Sequence, residues 1–265
     1  ADESKIRGID GLKKNTKYYV KIEAVRTVSG ITMSSVSTVK SIKTASKKVK
    51  ATSISAKFFK TKKAFKKSAA YKKYKAFKKR VSYAKSYVIP GLVGTNVGGF
   101  YATRMVPQSV TFAGNYLLIS AYDYTKKQES VIYVMNKTTR KYITTIVLPH
   151  TGHVGGITFD GENVWICHSN SNTLERISYE YITKIAQDAP EYCIDASALS
   201  DEYRLKNTPS CITCYGGRLW VATHTRFFDS EMYSYSYDKK EDKLTAVSNY
   251  NLPSKVQGVA FDDNG

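Results

Sequence analysis

The sequence predicts an all-β protein, and three observations lead to this prediction. Apolar and polar residues alternate in short segments near the amino terminus, as they do in half-buried strands. From residue 105 onward, one pattern of strands and tight turns recurs along the chain. The gaps between these strands are too short for the helices that connect parallel strands. With 265 residues, of which 42% are hydrophobic and 24% charged, the chain is long enough for more than one core.

The first predicted element is a hairpin. Apolar side chains alternate with polar ones at Tyr18, Val20, Ile22 and Ala24. A turn is expected at Ser29-Gly30, and the alternation resumes from Ser35 to Ile42. This pattern indicates two antiparallel arms that are half buried against a neighbouring layer.

The spacing within this hairpin resembles the end of a fibronectin type III domain. The matching positions are Leu12, Thr16, Tyr18, Val20, Ile22, Ala24, Gly30, Ser34, Ser35 and Lys43-Thr44. In that family, the tyrosine six residues after the leucine forms a tyrosine corner, in which its hydroxyl bonds to the upstream backbone. Tyr18 occupies this place. The resemblance covers about 45 residues and implies that residues 1–45 are the C-terminal part of a fibronectin type III-like domain.

The positive charge is concentrated in the first third of the chain. Residues 1–90 hold 25 of the 41 Lys and Arg residues but only 4 of the 22 acids, a net charge of +21, whereas the remainder carries −2. The formal net charge of +19 therefore belongs to one region and does not predict nucleic-acid binding by the fold as a whole.

Residues 46–91 form a predicted Lys-rich linker with a short amphipathic helix at about 63–86. Its apolar stripe consists of Ala70, Tyr74, Phe77, Val81 and Ala84. The basic residues that flank this stripe are Lys72, Lys73, Lys75, Lys78, Lys79 and Arg80. Two interpretations stay open: a solvated spacer whose helix packs on a neighbouring domain, or a binding segment for polyanions such as wall teichoic acid, with nucleic acid the less favoured partner.

The remaining residues repeat. The segments 105–121, 152–168, 209–224 and 256–265 align without gaps, and the equivalent apolar positions are Val110, Ile157, Ile212 and Val259. Trp165 and Trp220 also correspond. Each segment predicts an inner strand, a tight turn and a second strand, and two further strands follow in the first and third units. The turns are expected at Ala113-Gly114, Asp160-Gly161, Gly216-Gly217 and Asp263-Asn264.

Four antiparallel strands per unit, at a period in the forties or slightly above, predict a β-propeller at residues 92–265. The "LP" dipeptides Leu148-Pro149 and Leu252-Pro253 resemble those of bacterial extracellular propellers of the quinoprotein-like or YVTN-like kind. This resemblance implies a secreted or cell-surface location. Because a propeller needs at least four blades, we expect an incomplete one, with three four-stranded blades plus the start of a fourth, in a chain cut at both ends.

The resemblance also implies a ligand-binding face on the loops that lead into each inner strand and that join second to third strands. Mapped on the repeats, this face carries His150, His153, His168 and His224. Gln108 and Gln257 occupy equivalent places beside the axis. No Asp, Glu or Cys accompanies the histidines at ligand spacing, so we predict no metal and no cofactor, and we assign no catalytic residue.

The cysteines are expected to serve packing. Cys211 and Cys214 should point to opposite faces of a strand, with Cys214 at the core position that Phe112 and Phe159 occupy in other units. A disulfide from Cys193 stays open. The second unit is longer by eight residues, and this insertion should lie near residues 180–205.

The predicted function is that of a non-catalytic secreted or cell-surface binding protein whose propeller face takes a carbohydrate, peptide or protein. One alternative is an extracellular propeller enzyme of the lyase, cyclase or lactonase type, which would use the histidines. Another is binding of an anionic cell-wall polymer through the linker. The first ten residues lack the apolar stretch of a signal peptide, and no apolar run approaches the length of a membrane span.

Overall fold

The computed structural model describes residues 12–20, 23–28, 31–36, 39–44, 62–67, 87, 105–190, 192–194 and 202–262. The chain divides into two compact units. Arg7–Lys50 forms the smaller unit, and Ala1–Ile6 with Ala51–Gly265 forms the larger.

The smaller unit contains the predicted hairpin. Its strands are Lys17–Val20 (β1), Glu23–Val28 (β2), Ile31–Val36 (β3) and Lys40–Lys43 (β4). The strands β2 and β3 pair antiparallel, and β1 and β4 do the same with Tyr18 opposite Ile42. The backbone N–H of Lys13 donates to the hydroxyl of Tyr18 over 2.8 Å. The hairpin prediction is confirmed, and Tyr18 makes the upstream backbone contact expected of a tyrosine corner.

Within the predicted linker, residues 46–91, the structure describes Tyr87 and a short helix, Lys62–Lys67 (α1). Its side chains at Lys63, Lys66 and Lys67 are exposed. The rest of the predicted helix, including its apolar stripe and the six basic residues proposed for polyanion binding, lies outside the described residues.

Three successive antiparallel sheets make up the repeats. The first contains Met105–Ala113 (β5), Tyr116–Asp123 (β6), Val131–Asn136 (β7) and Tyr142–Val147 (β8). The second contains Ile157–Phe159 (β9), Asn163–His168 (β10), Thr173–Ser178 (β11) and, after an insertion that holds Cys193–Ile194 (β12), Tyr203–Arg204 (β13). The third contains Cys211–Tyr215 (β14), Arg218–Ala222 (β15), Ser230–Asp238 (β16) and Lys243–Leu252 (β17).

The internal repeat is therefore structural. Val110, Ile157 and Ile212 each lie on the first strand of a sheet and each face a residue of the second strand. The first three tight turns fall where they are predicted, and their glycines have positive φ angles, +52° at Gly114 and +108° at Gly161. The fourth, at Asp263-Asn264, lies outside the described residues. Glycine suits these turns because it adopts positive φ without a Cβ clash.

The chain does not form a strand at residues 256–262, where the inner strand of a fourth unit is expected. This segment contacts the third sheet: the ring of Phe261 stacks on that of Tyr215, with centroids 4.7 Å apart. In the residues that the structure describes, three units of four antiparallel strands follow one another, and β12 of the insertion adds a fifth strand to the first sheet. This is the order of consecutive propeller blades.

Apolar layers join the sheets face to face. Leu118, Ile132 and Ile146 of the first sheet pack with residues of the second such as Ile166 and Ile177. Between the second and third sheets, the packed residues include Trp165, Leu174, Tyr203, Leu219, Val221 and Tyr235. The all-β prediction is confirmed. Most of the buried apolar side chains lie in the two layers between neighbouring sheets.

One feature of the first sheet differs from expectation. Phe112, assigned to the core from its alignment, is 51% exposed. Its side chain lies on the face of the first sheet that points away from the second, where Tyr87 meets it edge to face. The equivalent Phe159 is partly buried against the layer between the first two sheets.

The insertion of the second unit contains a helix, Tyr179–Asp188 (α2). Ser178 caps its N-terminus, since its side chain accepts a hydrogen bond from the backbone N–H of Tyr181. After the helix, β12 pairs in parallel with β8. The hydroxyl of Thr144, on β8, donates to the carbonyl of Pro190 over 2.7 Å. The insertion thus fastens the second sheet to the outermost strand of the first.

Cys167, Cys211 and Cys214 are free thiols, and Sγ of Cys193 lies 3.0 Å from the hydroxyl of Tyr181. Cys211 is buried and Cys214 half buried, and burial raises the pKa of both thiols. The packing role predicted for this pair is confirmed. Among the helices that the structure describes, none is both long enough and apolar enough to span a bilayer.

Candidate functional site

At one edge of the three sheets, each first strand begins and each second strand ends. Met105 pairs with Asp123 there in the first sheet, and Cys211 pairs with Ala222 in the third. We call this the upper edge, and it includes the loops that follow the second strands. Loops of neighbouring units touch along it: the N–H of Ser130 donates to the carbonyl of His150 over 2.8 Å.

The four histidines lie at strand ends or in loops of this edge. His150 and His153 precede β9, His168 is the last residue of β10, and His224 follows β15. They do not form one site. The structure brings His150 and His168 together, whereas His153 and His224 each contact other groups.

The rings of His150 and His168 stack with centroids 3.9 Å apart and planes 11° from parallel. Both face the carboxylate of Glu175. Nε2 of His150 lies 2.7 Å from Oε1 of Glu175, and Nδ1 of His168 lies 3.0 Å from the same oxygen. Glu175 is 1% exposed, so this cluster is a carboxylate buried beneath two imidazoles.

The position of Glu175 follows from the alternation of β11. Leu174 packs towards the third sheet, while Glu175 and Ile177 point towards the first. Spacing along the chain indicates no acidic partner for the histidines, but the fold supplies one. One sequence signal could have indicated such a partner. Glu175 is a charged residue at an inward position of a predicted strand, and charged residues are rarely buried unless they are paired.

The contacts in the cluster are short but poorly directed. Nε2 of His150, Nδ1 of His168 and both oxygens of Glu175 are buried, and none of them makes an aligned hydrogen bond with the residues described here. The distances are nevertheless those of hydrogen bonds, and both imidazoles act on the pKa of the carboxylate through hydrogen bonding and charge.

The charges in the cluster favour one another. Contact with Glu175 raises the pKa of His168, and burial acts against this shift. Burial alone would raise the pKa of Glu175, but the two imidazoles outweigh it and lower the pKa. Oε1 of Glu202 lies 3.4 Å from Nδ1 of His168 and adds a second, half-exposed carboxylate.

The loop around Gly152 closes over the cluster. The N–H of Gly152 donates to Nδ1 of His150 over 2.9 Å. A Cβ at residue 152 would lie 2.2 Å from Nε2 of His168, so only glycine fits. With Nδ1 of His150 accepting, the neutral ring carries its proton on Nε2, on the side of Glu175.

His153 belongs to a separate polar group. Its Nε2 lies 2.7 Å from Oε1 of Gln108, and its Nδ1 lies 3.4 Å from the hydroxyl of Ser169. Tyr122 meets the ring edge to face at 4.9 Å. Burial lowers the pKa of His153, and the positive charge of Lys126 lowers it further. The ring is therefore neutral near pH 7 and acts as a donor and acceptor of hydrogen bonds.

His224 has a similar environment near Gln257. Its Nδ1 lies 3.0 Å from the carbonyl oxygen of Val256 and 3.3 Å from the side-chain nitrogen of Gln257. The carbonyl can only accept, so Nδ1 of the ring donates to it. Both predicted glutamines thus lie beside a histidine at the upper edge.

Exposed aromatic side chains extend the same edge. Tyr124, in the loop after β6, is 68% exposed, and Phe227 and Phe228, in the loop after β15, are 86% and 80% exposed. The first loop is held by Asp123, whose carboxylate accepts from the backbone N–H groups of Thr125, Lys127 and Gln128. Burial would raise the pKa of Asp123, but these hydrogen bonds and that of the Thr125 hydroxyl lower it.

No protein-family model matches the sequence. A search of curated proteins finds no match either. Among solved structures, the hydrazine synthase of Kuenenia stuttgartiensis is similar over 68% of this chain and 44% of its own, at 14% identity and a TM-score of 0.42. For the glutaminyl cyclase of Myxococcus xanthus the shares are 59% and 56%, at 12% identity and a TM-score of 0.39.

A nidogen/laminin complex is similar over 62% of this chain and 55% of its own, at 14% identity and a TM-score of 0.41. The chain thus spans about half the length of the solved structures it matches. Likenesses this distant carry no inference about function.

Proposed function

We propose that this protein is a non-catalytic binding protein and that the upper edge of its propeller-like sheets is the ligand-binding surface. The observation that carries the proposal is the exposure of Tyr124, Phe227 and Phe228 on the edge that also holds the two histidine–glutamine pairs. Exposed aromatic rings cost free energy in water and recur as the anchors of binding surfaces. Amides and imidazoles beside them supply directional hydrogen bonds.

The surface is organised before any ligand arrives. Asp123 fixes the loop of Tyr124 through backbone hydrogen bonds. The hydroxyl of Thr225 donates to the carbonyl of Phe228, and the N–H of Lys255 donates to the carbonyl of Thr225. Binding loops held in this way lose little conformational entropy when a partner docks.

The histidines support binding better than catalysis. His153 and His224 contact amide, hydroxyl and carbonyl groups, which suits recognition of a neutral polar ligand. The imidazole–carboxylate contacts lie at Glu175, and its 1% exposure places it out of reach of a substrate. The enzyme alternative, of the lyase, cyclase or lactonase type, is therefore the weaker one.

The larger architecture is part of the same proposal. Residues 1–45 are the end of a fibronectin type III-like spacer, a view supported by the contact between Tyr18 and the backbone of Lys13. Residues 46–91 are a linker, and residues 92–265 belong to a β-propeller. Such an arrangement suits a secreted or cell-surface protein that presents its propeller to a carbohydrate, peptide or protein.

The test compares the chain with a variant that lacks the aromatic anchors. The wild type and a Phe227→Ser, Phe228→Ser double variant are applied to a glycan array and to a peptide array. The wild type should bind a restricted set of spots, and the double variant should lose about tenfold or more in affinity for them. Val247→Ser, which changes an exposed apolar residue of β17, is the matched control and should bind as the wild type does.

Absence of wild-type binding on both arrays, or equal binding by the double variant, would refute the proposal. Teichoic acid is applied in parallel. Binding that the double variant retains and that falls steeply with salt would transfer the function to the basic linker.

A further inference from the structure

The cluster of His150, His168 and Glu175 presents an electrostatic problem that the binding function does not explain. Its four buried polar atoms converge without aligned hydrogen bonds among the described residues. The two imidazoles stabilise the buried carboxylate enough to lower its pKa, but its oxygens still lack aligned hydrogen bonds, and buried polar atoms left in this way are costly. A positive centre between the three side chains would remove this cost.

We propose that His150, His168 and Glu175 bind a divalent transition-metal ion, and that Zn²⁺ is the ion that fits best. Two imidazole nitrogens and a carboxylate oxygen are ligands that zinc prefers, whereas Ca²⁺ and Mg²⁺ prefer sites made of oxygen atoms. The three ligand atoms lie within 4.8 Å of one another. The inference does not depend on the binding function proposed above.

The spacing needs only a small change to admit the ion. Bonds of about 2.0–2.1 Å in a tetrahedral site place neighbouring ligand atoms roughly 3.3 Å apart. The present separations from Oε1 of Glu175 are 2.7 Å to His150 and 3.0 Å to His168. The distances therefore change by only a few tenths of an ångström, but the two rings, now stacked with planes 11° from parallel, must also turn so that both nitrogen lone pairs point at the ion.

Binding also requires one proton to move. A neutral imidazole that coordinates through Nε2 carries its proton on Nδ1, and Nδ1 of His150 now accepts from the N–H of Gly152. Turning the peptide between Thr151 and Gly152 would present the carbonyl of Thr151 to Nδ1 instead. Glycine at residue 152 allows this rotation, since it has no Cβ to restrict its backbone.

A fourth ligand is close at hand. Oε1 of Glu202 lies 3.4 Å from Nδ1 of His168, and its side chain is 51% exposed and free to adjust. With Glu202, all four tetrahedral positions are filled by protein, which is the pattern of structural zinc sites rather than catalytic ones. The ion would join four parts of the second unit: the loop before β9, the strands β10 and β11, and Glu202, which directly precedes β13.

The first experiment measures zinc binding by the full 265-residue chain without an affinity tag. Protein stripped with a chelator is titrated with ZnCl₂ in competition with a chromophoric chelator. We expect one Zn²⁺ per chain, and more than about tenfold weaker binding in Glu175→Gln and in His150→Gln. His153→Gln and His224→Gln, which change histidines outside the cluster, should bind as the wild type does. CaCl₂ should not compete.

A second measurement needs no variant, so it decides the matter even where a substitution prevents folding. Imidazole ¹⁵N resonances are recorded on the wild type before and after Zn²⁺ is added. The resonances of two histidines should shift, assigned to His150 and His168, while those of His153 and His224 stay in place. Failure of the wild type to bind Zn²⁺, unchanged affinity in folded Glu175→Gln, or shifts at His153 and His224 alone would overturn the proposal.

Discussion

The imidazole of His150 lies flat on that of His168, with ring centroids 3.9 Å apart. One ring comes from the loop that leaves the first sheet, and the other ends the second strand of the next sheet. Gly152 lies against both rings, and its N–H bonds to His150. The stack therefore fixes how the chain passes from one sheet to the next, and it depends on a residue without a side chain.

Gly152→Ala should destabilise the protein. The added Cβ would lie 2.2 Å from Nε2 of His168 and 2.9 Å from Nδ1 of His150, so one ring must leave the stack. Overpacking of this kind costs about 1–3 kcal/mol. Urea denaturation followed by circular dichroism measures the loss. Gly258→Ala is the control, because its Cβ would meet no heavy atom within 4 Å, and an equal loss there would contradict the steric explanation.

Asp160→Ala should destabilise the protein, because it removes the carboxylate that accepts a hydrogen bond from the buried indole of Trp165. Oδ2 of Asp160 accepts from Nε1 of Trp165 over 2.6 Å, and Oδ1 accepts from the N–H groups of Glu162 and Asn163. Trp165 is fully buried, so its N–H would lose its partner. We expect a loss of about 2 kcal/mol in the free energy of unfolding.

The matched control for this change is Asp238→Ala. Asp238 accepts from the N–H groups of Lys240 and Glu241 in another turn, but it bonds to no indole. Its loss should be about 1 kcal/mol or less. Equal losses in the two variants would show that the bond to Trp165 contributes nothing beyond the turn.

Much of the fold could be predicted because its signals are local or repeated. Alternation predicted the hairpin, and the recurrence of Val110, Ile157 and Ile212 predicted the sheets and their turns. However, residues at equivalent positions of the repeat need not be equally buried. Phe112 and Phe159 are equivalent in sequence, but only Phe159 packs between two sheets.

The site was predictable only in part. Placing the histidines on one edge required nothing but the repeat, whereas the pairing of His150 and His168 depends on how two sheets pack. Glu175 lies on the third strand of its unit, and no motif joins it to either histidine. Its inward position could have been read from the alternation of β11 with Leu174 and Ile177, but its partners could not.

Ser178→Ala should destabilise the insertion. Ser178 has an extended backbone, and its side chain accepts from the N–H of Tyr181 in the first turn of α2. Loss of such a cap costs about 1 kcal/mol. Ser178→Asp keeps an acceptor in place and adds a negative charge near the helix N-terminus, so it should retain the stability of the wild type. Urea denaturation of both variants checks this, and equal losses would exclude capping as the cause.

The protonation of His153 should make the protein less stable in mild acid. Burial and then the charge of Lys126 lower the pKa of this ring below its ordinary value of 6.5. Between that value and the folded-state pKa, the unfolded chain binds the proton more readily than the folded one. The contribution of His153 to stability is therefore complete above pH 6.5 and is lost as the pH falls through the folded pKa. Urea denaturation of the wild type and of His153→Gln across this range measures the slope as their difference, because the raised pKa of His168 contributes with the opposite sign in both.

Lys126→Asn isolates the electrostatic part of this effect. Lys126 has a positive φ of 54°, a conformation that asparagine tolerates well, so the backbone is undisturbed. Removing the positive charge favours the imidazolium, and the pKa of His153 should rise towards 6.5, as followed by imidazole NMR. Lys240→Asn, in the turn between β16 and β17, is the control and should leave this pKa unchanged. A wild-type pKa at or above 6.5 would contradict the burial of the ring against Gln108 and Tyr122, on which its neutral hydrogen-bonding role depends.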